Sequence, residues 1–423
     1  MFHRVEWMRA ALLLTALASV AFVSGCAATL PREAVPQELS DTAEVHGLQD
    51  VRFWGDEKSP ALDRSLASRI DQIIASNRSA QLQPGKEIDV SYLALSGGGG
   101  DGAFGAGLLV GWSESGTRPN FSIVTGVSTG ALMAPFVFLG SEYDQQLKEM
   151  YTTFSTENVV TLQVFSGLLG GDSLGDDSPL AKRIAHYVDA AFLANVAAEH
   201  NKGRRLYVAT TNLDAQRPVI WDMGAIANVG TPEALSLFRS VLLASASIPG
   251  AFPPVRIHVQ AGNANYDEMH VDGGTTAQVF FLPMTAILEN YTRGKVSLRV
   301  RRHLYVIRNT KVAPEWQPVE DKTLAIVGRS LSTVIKNQGI GDLYRLYVES
   351  RNQKLDFNYA AIPPDFVMAS KEPFDVAYMN ALFKYGYQLG RSGYQWKKAP
   401  PGLDTKRTGP LMVQDKPMQQ SAR

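Results

Sequence analysis

A chain of 423 residues, 45% hydrophobic and 19% charged, has the size and composition of one large globular domain or two ordinary ones. Lys plus Arg and Asp plus Glu stand at 41 each, so no basic excess speaks for a nucleic-acid partner and no acidic tail for a solvating chain. The single cysteine excludes an internal disulfide framework and any multi-cysteine zinc site.

At the N-terminus, Arg4 and Arg9 precede an apolar run from Ala10 to Val23, which closes on Val23-Ser24-Gly25-Cys26. A charged start, a short apolar run and small residues at its end are the parts of a secretory signal, and the run falls short of the roughly 20 apolar residues a bilayer span requires. The pattern resembles the bacterial lipoprotein signal. That resemblance implies that residues 1–25 are removed and that Cys26 becomes the lipidated first residue, a membrane anchor. Ala27 stands where inner-membrane retention signals carry aspartate, which implies the outer membrane of a bacterial cell envelope. Residues 26–55 then read as a lipidated tether, polar to about Asp50, dotted with Pro31 and Pro36 and without a hydrophobic period.

The globular domain is expected over 56–395. Leu62, Leu66, Ile70, Ile73 and Ile74 carry helical spacing through 60–78. Ile88–Leu95 reads as a buried strand, Ala103–Trp112 as a helix, Phe121–Thr125 as a second strand and Thr129–Leu139 as a second helix. Further strands are expected at Arg205–Thr211, Pro218–Asp222, before Asp272 and at His303–Asn309. Helical pattern returns at Pro232–Ala244, through 322–351 and at 376–389. This alternation predicts a three-layer α/β fold, a mostly parallel central sheet with helices on both faces. The segment 396–423 is rich in proline, lysine and glutamine and reads as a flexible tail.

Three pieces of this pattern carry chemistry. Gly126-Val127-Ser128-Thr129-Gly130 lies between a strand and a helix, the setting of a nucleophile elbow, in which a serine hydroxyl is exposed at a helix N-terminus. Upstream, Gly97-Gly98-Gly99-Gly100-Asp101-Gly102 lies between a strand and a helix, where backbone N–H groups can converge on an oxyanion or a phosphate. Gly97, Gly99 and Gly102 also satisfy the dinucleotide fingerprint, but the ribose-binding acid that reading needs is missing from the next strand, and no Gly-Lys-Ser/Thr completes a P-loop. The third piece is Asp272-Gly273-Gly274, behind Val271; on its own such an aspartate is an ordinary turn residue.

In this order the three pieces resemble the patatin-like phospholipases. Ala244-Ser245-Ala246-Ser247-Ile248-Pro249 with Phe252-Pro253-Pro254, and Ser178-Pro179-Leu180 opening a helix, are similar to that family as well. The resemblance covers about 88–310. It implies a serine acyl hydrolase for carboxylic esters of phospholipids or other acyl lipids, with no cofactor and no metal. Ser128 would be the nucleophile and Asp272 its base. Gly97, Gly98, Gly99, Gly100 and Gly102 would form the oxyanion loop, the amides of Gly98, Gly99 and Gly100 holding the charge. Gly126 and Gly130 would shape the elbow, and Gly273 and Gly274 the acid motif. A carboxylate can serve as the base without a histidine. Of His3, His46, His186, His200, His258, His270 and His303, only His303 follows the acid as a Ser-His-Asp order would require, and it opens an apolar strand.

Asp101 departs from the family, which has arginine or lysine there. Either it points away from the oxyanion or the enzyme is slower than its relatives, and the second case leaves open a catalytically weak, lipid-binding envelope lipoprotein. Its place before a helix predicts a structural role as a cap. Val159–Gly175, apolar and interrupted by Gly167, Gly170, Gly171 and Gly175, reads as a mobile wall over an acyl groove or equally as a buried connection with flexible corners.

Overall fold

The structure, a computed structural model, describes residues 32–77, 87–156, 161–162, 175–176, 178–282 and 299–403. In chain order, the short strands β1 (Glu44–Val45) and β2 (Arg52–Trp54) precede helix α1 (Pro60–Asn77). Next come β3 (Glu87–Leu95), α2 (Gly102–Glu114), β4 (Phe121–Val127), α3 (Thr129–Leu139) and α4 (Asp144–Thr152). A small ladder of β5 (Thr161–Leu162) and β6 (Gly175–Asp176) leads to α5 (Ser178–Tyr187) and α6 (Ala190–Asn201). They are followed by β7 (Arg205–Asn212), β8 (Arg217–Asp222), α7 (Met223–Val229), α8 (Pro232–Ser245), β9 (Val255–Ala261) and β10 (Ala264–Asp272). β11 (Arg299–Lys311), α9 (Thr323–Asn352), β12 (Asp356–Ile362) and α10 (Val376–Arg391) complete the described elements.

The main sheet runs β1-β9-β10-β7-β4-β3-β11-β12, with β8 beside β7 and β2 beside β8. Five strands, β7, β4, β3, β11 and β12, are mutually parallel and form the expected α/β centre. Antiparallel strands extend it on the β7 side, so the whole sheet is mixed. The parallel strands are apolar because helices cover both their faces. Leu93 and Leu95 point into one core with Phe104, Leu108 and Phe138; Tyr92 and Ala94 point into the other with Leu343 and Leu346 of α9.

Two features of this frame position the site. The first is a change of partner along β7. Val127, the last residue of β4, lies opposite Ala209, and Asp272, the last residue of β10, lies opposite Thr210. Neighbouring strand residues are about 3.3 Å apart, so the ends of β4 and β10 meet on adjacent rungs of one strand. The second is the close packing of α2 on α10. A Cβ at Gly107 or Gly111 would stand 2.1 Å from the carbonyl oxygen of Phe383 or Tyr387, a spacing that only glycine permits.

The segment read as a tether is not free of the domain. From Arg32 onward it packs on the sheet: β1 pairs with β9, β2 pairs with β8, and Val45, Leu48, Val51 and Phe53 are buried. Strands of two and three residues are too short to show a hydrophobic period, which is why composition alone suggested a linker. Residues 1–31, with Cys26, lie outside the described residues. Likewise the tail is fastened at its start, where Trp396 packs 4.9 Å from both the Trp112 and Tyr305 rings and Lys397 pairs with Tyr359; residues 404–423 lie outside the described residues. Of Val159–Gly175, only Thr161, Leu162 and Gly175 are described, so neither reading of that segment is decided.

An ionic chain fastens the N-terminal segment to the sheet. Arg52 pairs with Glu268, Glu268 bonds His270 at 2.9 Å, His270 bonds Thr210 at 2.9 Å, and Thr210 accepts from the Trp221 indole at 2.8 Å. Burial pushes the Glu268 carboxyl up, but Arg52 and His270 outweigh it and hold the group at about 2. The pair therefore stabilises the fold above pH 4.5, the ordinary Glu value, and that contribution is lost as the pH falls towards 2. Arg52→Ala should leave Glu268 buried without its cation and destabilise the protein by about 3–5 kcal/mol, read from denaturant midpoints at neutral pH. A change below about 0.5 kcal/mol, the range of an ordinary surface substitution, would mean that the pair does not anchor the segment.

Candidate active site

The β4–α3 junction bends sharply at Ser128, whose backbone lies at φ +54°, ψ −125°. A non-glycine residue held there stores about 1–3 kcal/mol of strain, which surrounding contacts must offset. They do so in three ways. A Cβ at Gly126 would lie 2.5 Å from the Gly130 carbonyl oxygen, and one at Gly130 would lie 2.4 Å from that of Leu95, so the turn closes only with glycine at both places. The Ser128 N–H donates to the Ser245 hydroxyl at 3.0 Å, and that hydroxyl donates onward to the Ala209 carbonyl at 2.7 Å. The Ser128 carbonyl accepts from Ala131 and Leu132 and starts α3. Ser245, at the C-terminal end of α8, thus braces the elbow from the back.

Asp272 reaches this serine because β10 ends where β4 ends. Its N–H donates to the Ser247 carbonyl at 2.9 Å, and one carboxylate oxygen accepts from the Gly274 amide at 2.7 Å. Ser128 follows directly on Val127, one rung along β7 from Asp272, and its side chain helps to lower the Asp272 carboxyl. No cation is among the causes of its shift. Burial raises the group from 3.8 to about 7, with the Ser128 and Gly274 bonds pulling it partly back. Both side chains are buried. Among the described residues no histidine bonds either one: His270 belongs to the Arg52 chain, and His303 bonds Asp356 at 3.0 Å.

The glycine loop closes the third side. Its start is fixed by the Gly97 N–H donating to the Gln278 carbonyl at 3.0 Å and by the Ser96 hydroxyl, which donates to the Gly97 carbonyl and accepts from the Asn309 amide. A Cβ on Gly97 would lie 3.1 Å from that of Ser128, so the loop abuts the elbow directly. The amides of Gly98, Gly99 and Gly100 meet no acceptor among the described residues. The Gly97 amide is taken by Gln278 and the Gly102 amide by the Gly99 and Gly100 carbonyls. These two glycines shape the loop and have no N–H left over. Gly273 packs against the Ala209 carbonyl, and Gly274 lends its amide to Asp272.

Two supports of this site had no signal in the sequence. Gln278 donates from its side chain to the Gly274 carbonyl at 2.8 Å while its backbone holds Gly97. Asp342, buried on α9, accepts the Gln278 N–H at 2.7 Å. Asp101 also departs from its expected role. It makes no side-chain bond to the helix it precedes; its carboxylate accepts from the Tyr378 hydroxyl of α10 at 2.6 Å. At φ −64°, ψ −14° Asp101 is already helical, so its side chain cannot fold back over the helix N-terminus as a cap does.

Ser128 opens into an apolar pocket with about 620 Å³ of empty space, part of it open to solvent. Leu132, Met150, Phe154, Leu180, Ile184 and Phe252 line it, and Gly99 stands beside Ser128 in its wall. Arg183 is the one charged lining residue among those described, its guanidinium 4.5 Å from the Phe154 ring centroid. Among the described residues no group of three or more His, Cys, Asp or Glu side chains is arranged to hold a metal.

Residues 93–285 match the patatin-like phospholipase family, a stretch that opens within β3 and closes beyond Gln278. The chain thus carries a patatin-like phospholipase domain. Similar solved structures include VipD from Legionella pneumophila, at 12% identity and a TM-score of 0.36 over 72% of this chain and 66% of that one. Human GIVD cytosolic phospholipase A2 is similar at 11% identity and a TM-score of 0.33, over 83% of this chain and 65% of that one. ExoU of the Pseudomonas aeruginosa type III secretion system, in complex with SpcU, is similar at 13% identity and a TM-score of 0.31, over 73% of this chain and 52% of that one. The chain spans less than two thirds of the length of each of these. No curated protein sequence matches it.

The surroundings of Asp101 give a pH-dependent prediction. Burial raises its carboxyl from 3.8 to about 6, against the Tyr378 bond that lowers it. Ionisation is thus disfavoured in the folded state, and the stability associated with the acid form is present below pH 3.8 and lost as the pH rises through 6. Asn keeps an acceptor for Tyr378 and never ionises. The melting temperature of Asp101→Asn should therefore rise relative to wild type between these two pH values, and a difference that stays flat would show that Asp101 is not the buried acid described.

Proposed function

We propose that the protein is a serine acyl hydrolase acting on acyl lipids, phospholipids foremost, through a Ser128–Asp272 dyad. The observation that carries this reading is Ser128, held at positive φ in the wall of an apolar pocket, where the end of β4 meets the buried carboxylate that ends β10. Asp272 accepts the Ser128 proton as Oγ attacks the ester carbonyl. The free amides of Gly98, Gly99 and Gly100 donate to the oxygen that becomes negative. As the tetrahedral intermediate collapses, the ester bond breaks and Asp272 returns the proton to the departing alcohol. Water, deprotonated by the same carboxylate, then releases the fatty acid and restores the serine.

A base near 7 is half ionised at neutral pH, where it is strong enough to pull a hydroxyl proton and still present in its working form. The acyl chain takes the pocket lined by Leu132, Phe154 and Ile184, with its carbonyl at Ser128. The rival reading, a catalytically weak lipid-binding lipoprotein, drew on Asp101; that carboxylate is engaged by Tyr378. Lipidation of Cys26 and residence in a bacterial envelope, outer membrane favoured, belong to the same proposal and draw on the N-terminal pattern of residues 4–26. A Cys26→Ser chain should take up no fatty-acid label in cells; label that persists would place the anchor elsewhere.

Ser128→Ala should abolish ester hydrolysis while the protein stays folded, and Asp272→Asn should lower kcat by about 10²–10⁴-fold. In wild type, kcat/KM should fall as the pH drops through about 7, the point at which Asp272 takes up its proton. Steady-state kinetics on a short-chain ester from acid to alkaline pH check both. Full activity in Asp272→Asn, or a profile with no step near 7, would replace Asp272 as the base.

A further inference from the structure

The C-terminal edge of the parallel sheet carries more than the site. At that edge Asp342 holds Gln278, and Gln278 holds Gly97, which fixes the level at which α9 passes the glycine loop. Below that level α9 packs on the sheet through Leu343 and Leu346 and leads to β12, whose start at Asp356 lies opposite His303. Before Asp342, the nineteen-residue stretch from Thr323 to Gly341 extends the helix by about 28 Å, at ~1.5 Å per residue, its later turns beside Arg308 and its first turns beyond the end of β11. Three bonds brace one flank of this projection: Arg308 to the Lys336 carbonyl at 2.9 Å, Lys336 to the Ala313 carbonyl and Arg329 to the Glu315 carbonyl.

The other flank faces solvent and is apolar. Val327, Leu331 and Val334 follow one another at helical spacing, with Ile326 beside them, and all four are exposed. Trp316, on the connection entering the helix, is 90% exposed, and Val367, on the connection leaving β12 at the same edge, is 84% exposed. Most of the large apolar side chains exposed among the described residues lie on these two connections and on the projecting turns of α9. Monomeric proteins seldom leave a patch of this kind on view without a use for it. From Thr323 to Gly341 the only ionisable residues are Arg329 and Lys336. Glu315 pairs with Lys336 at 3.0 Å and Glu320 with Lys322 at 2.7 Å in the preceding connection, beside Asp321, and the Val367 connection carries Asp365, Lys371 and Glu372. Among the described residues no helix is long and apolar enough to cross a membrane.

We infer that the projecting half of α9, with Trp316 and Val367, is an interfacial docking face that seats the Ser128 edge on a lipid bilayer. A helix with an apolar stripe on its solvent side and a nearby tryptophan lies in the headgroup region, its apolar side against the acyl chains. The choice of partner rests on the acyl-lipid reading of Ser128, because a chain-length acyl group reaches the pocket from a membrane only if that edge faces it. On the same edge, Phe374 ends the Val367 connection in the pocket wall, so docking and acyl entry share one side of the molecule.

The test uses the full chain carrying Cys26→Ser, so that no acyl anchor contributes, and vesicles of equimolar phosphatidylglycerol and phosphatidylethanolamine. Val327→Asp with Leu331→Asp should weaken sedimentation with vesicles by about tenfold or more and slow hydrolysis of vesicle lipid, because two charges now face the acyl region. Hydrolysis of a soluble short-chain ester should stay within twofold of the parent. Unchanged vesicle binding would overturn the inference, as would a concentration-dependent dimer lost in the double variant, which would give the face to a second copy. If the double variant fails to fold, brominated lipid should quench a part of the fluorescence that is missing in Trp316→Phe; no such part would overturn the inference equally. Weakened vesicle binding in a protein that hydrolyses no ester at all would retain the docking face and reject the acyl-hydrolase reading.

Discussion

Everything around the site depends on holding one residue, Ser128, in a backbone conformation it would not choose. At φ +54° its side chain stands clear of the turn between β4 and α3, with the α3 N-terminus directly behind it. The strain is offset by the missing side chains at Gly126 and Gly130 and by the Ser245 hydroxyl, which ties the Ser128 amide to the β7 carbonyl of Ala209. Ser245 lies on a helix more than a hundred positions away in the chain, so the elbow is a property of the assembled domain. The partner change along β7 then brings Asp272 to the next rung. A slip of one residue on β10 would turn that carboxylate to the other face of the sheet.

The same sheet holds two buried carboxylates at opposite ends of the scale. Glu268, four positions before Asp272 on β10, has a guanidinium and an imidazole against it and is held at about 2. Asp272 accepts from one backbone amide and has no cation against it, and burial carries it to about 7. Charge pairing stabilises the first and makes it inert. The second keeps the ionisation that a general base needs, and folding bears the penalty of a buried, unpaired acid. The Arg52 that quiets Glu268 comes from the docked N-terminal segment, so that segment contributes to the electrostatic order of β10.

Most of the parallel core was legible because its cause is local. Buried strands such as Leu93–Leu95 are continuous apolar runs, and the glycines of the loop and the elbow mark places where backbone meets backbone. Ser128, Asp272, and the glycine loop followed from ordered motifs. What could not be read arises from contacts distant in sequence. β1 and β2 are too short for a period and exist only as additions to β9 and β8. Asp101 looked like a cap because its one side-chain partner, Tyr378, lies 277 positions later in the chain, on α10. Gln278 and Asp342 belong to no motif and matter only because the fold brings them behind Gly97.

Placing Ser128, Asp272 and the apolar pocket at the C-terminal edge of a parallel sheet is what doubly covered α/β folds allow, since only the strand ends escape the helices. In the proposed reaction Ser128 would carry the acyl group between two half-reactions. The most direct test is to quench the protein during turnover of an acyl ester and map the acylated peptide by mass spectrometry. The account predicts one acyl group on Ser128 in wild type, none in Ser128→Ala, and slower formation and slower loss of the adduct in Asp272→Asn. Turnover with no adduct on the peptide that contains Ser128, or an acyl group on another side chain, would contradict it.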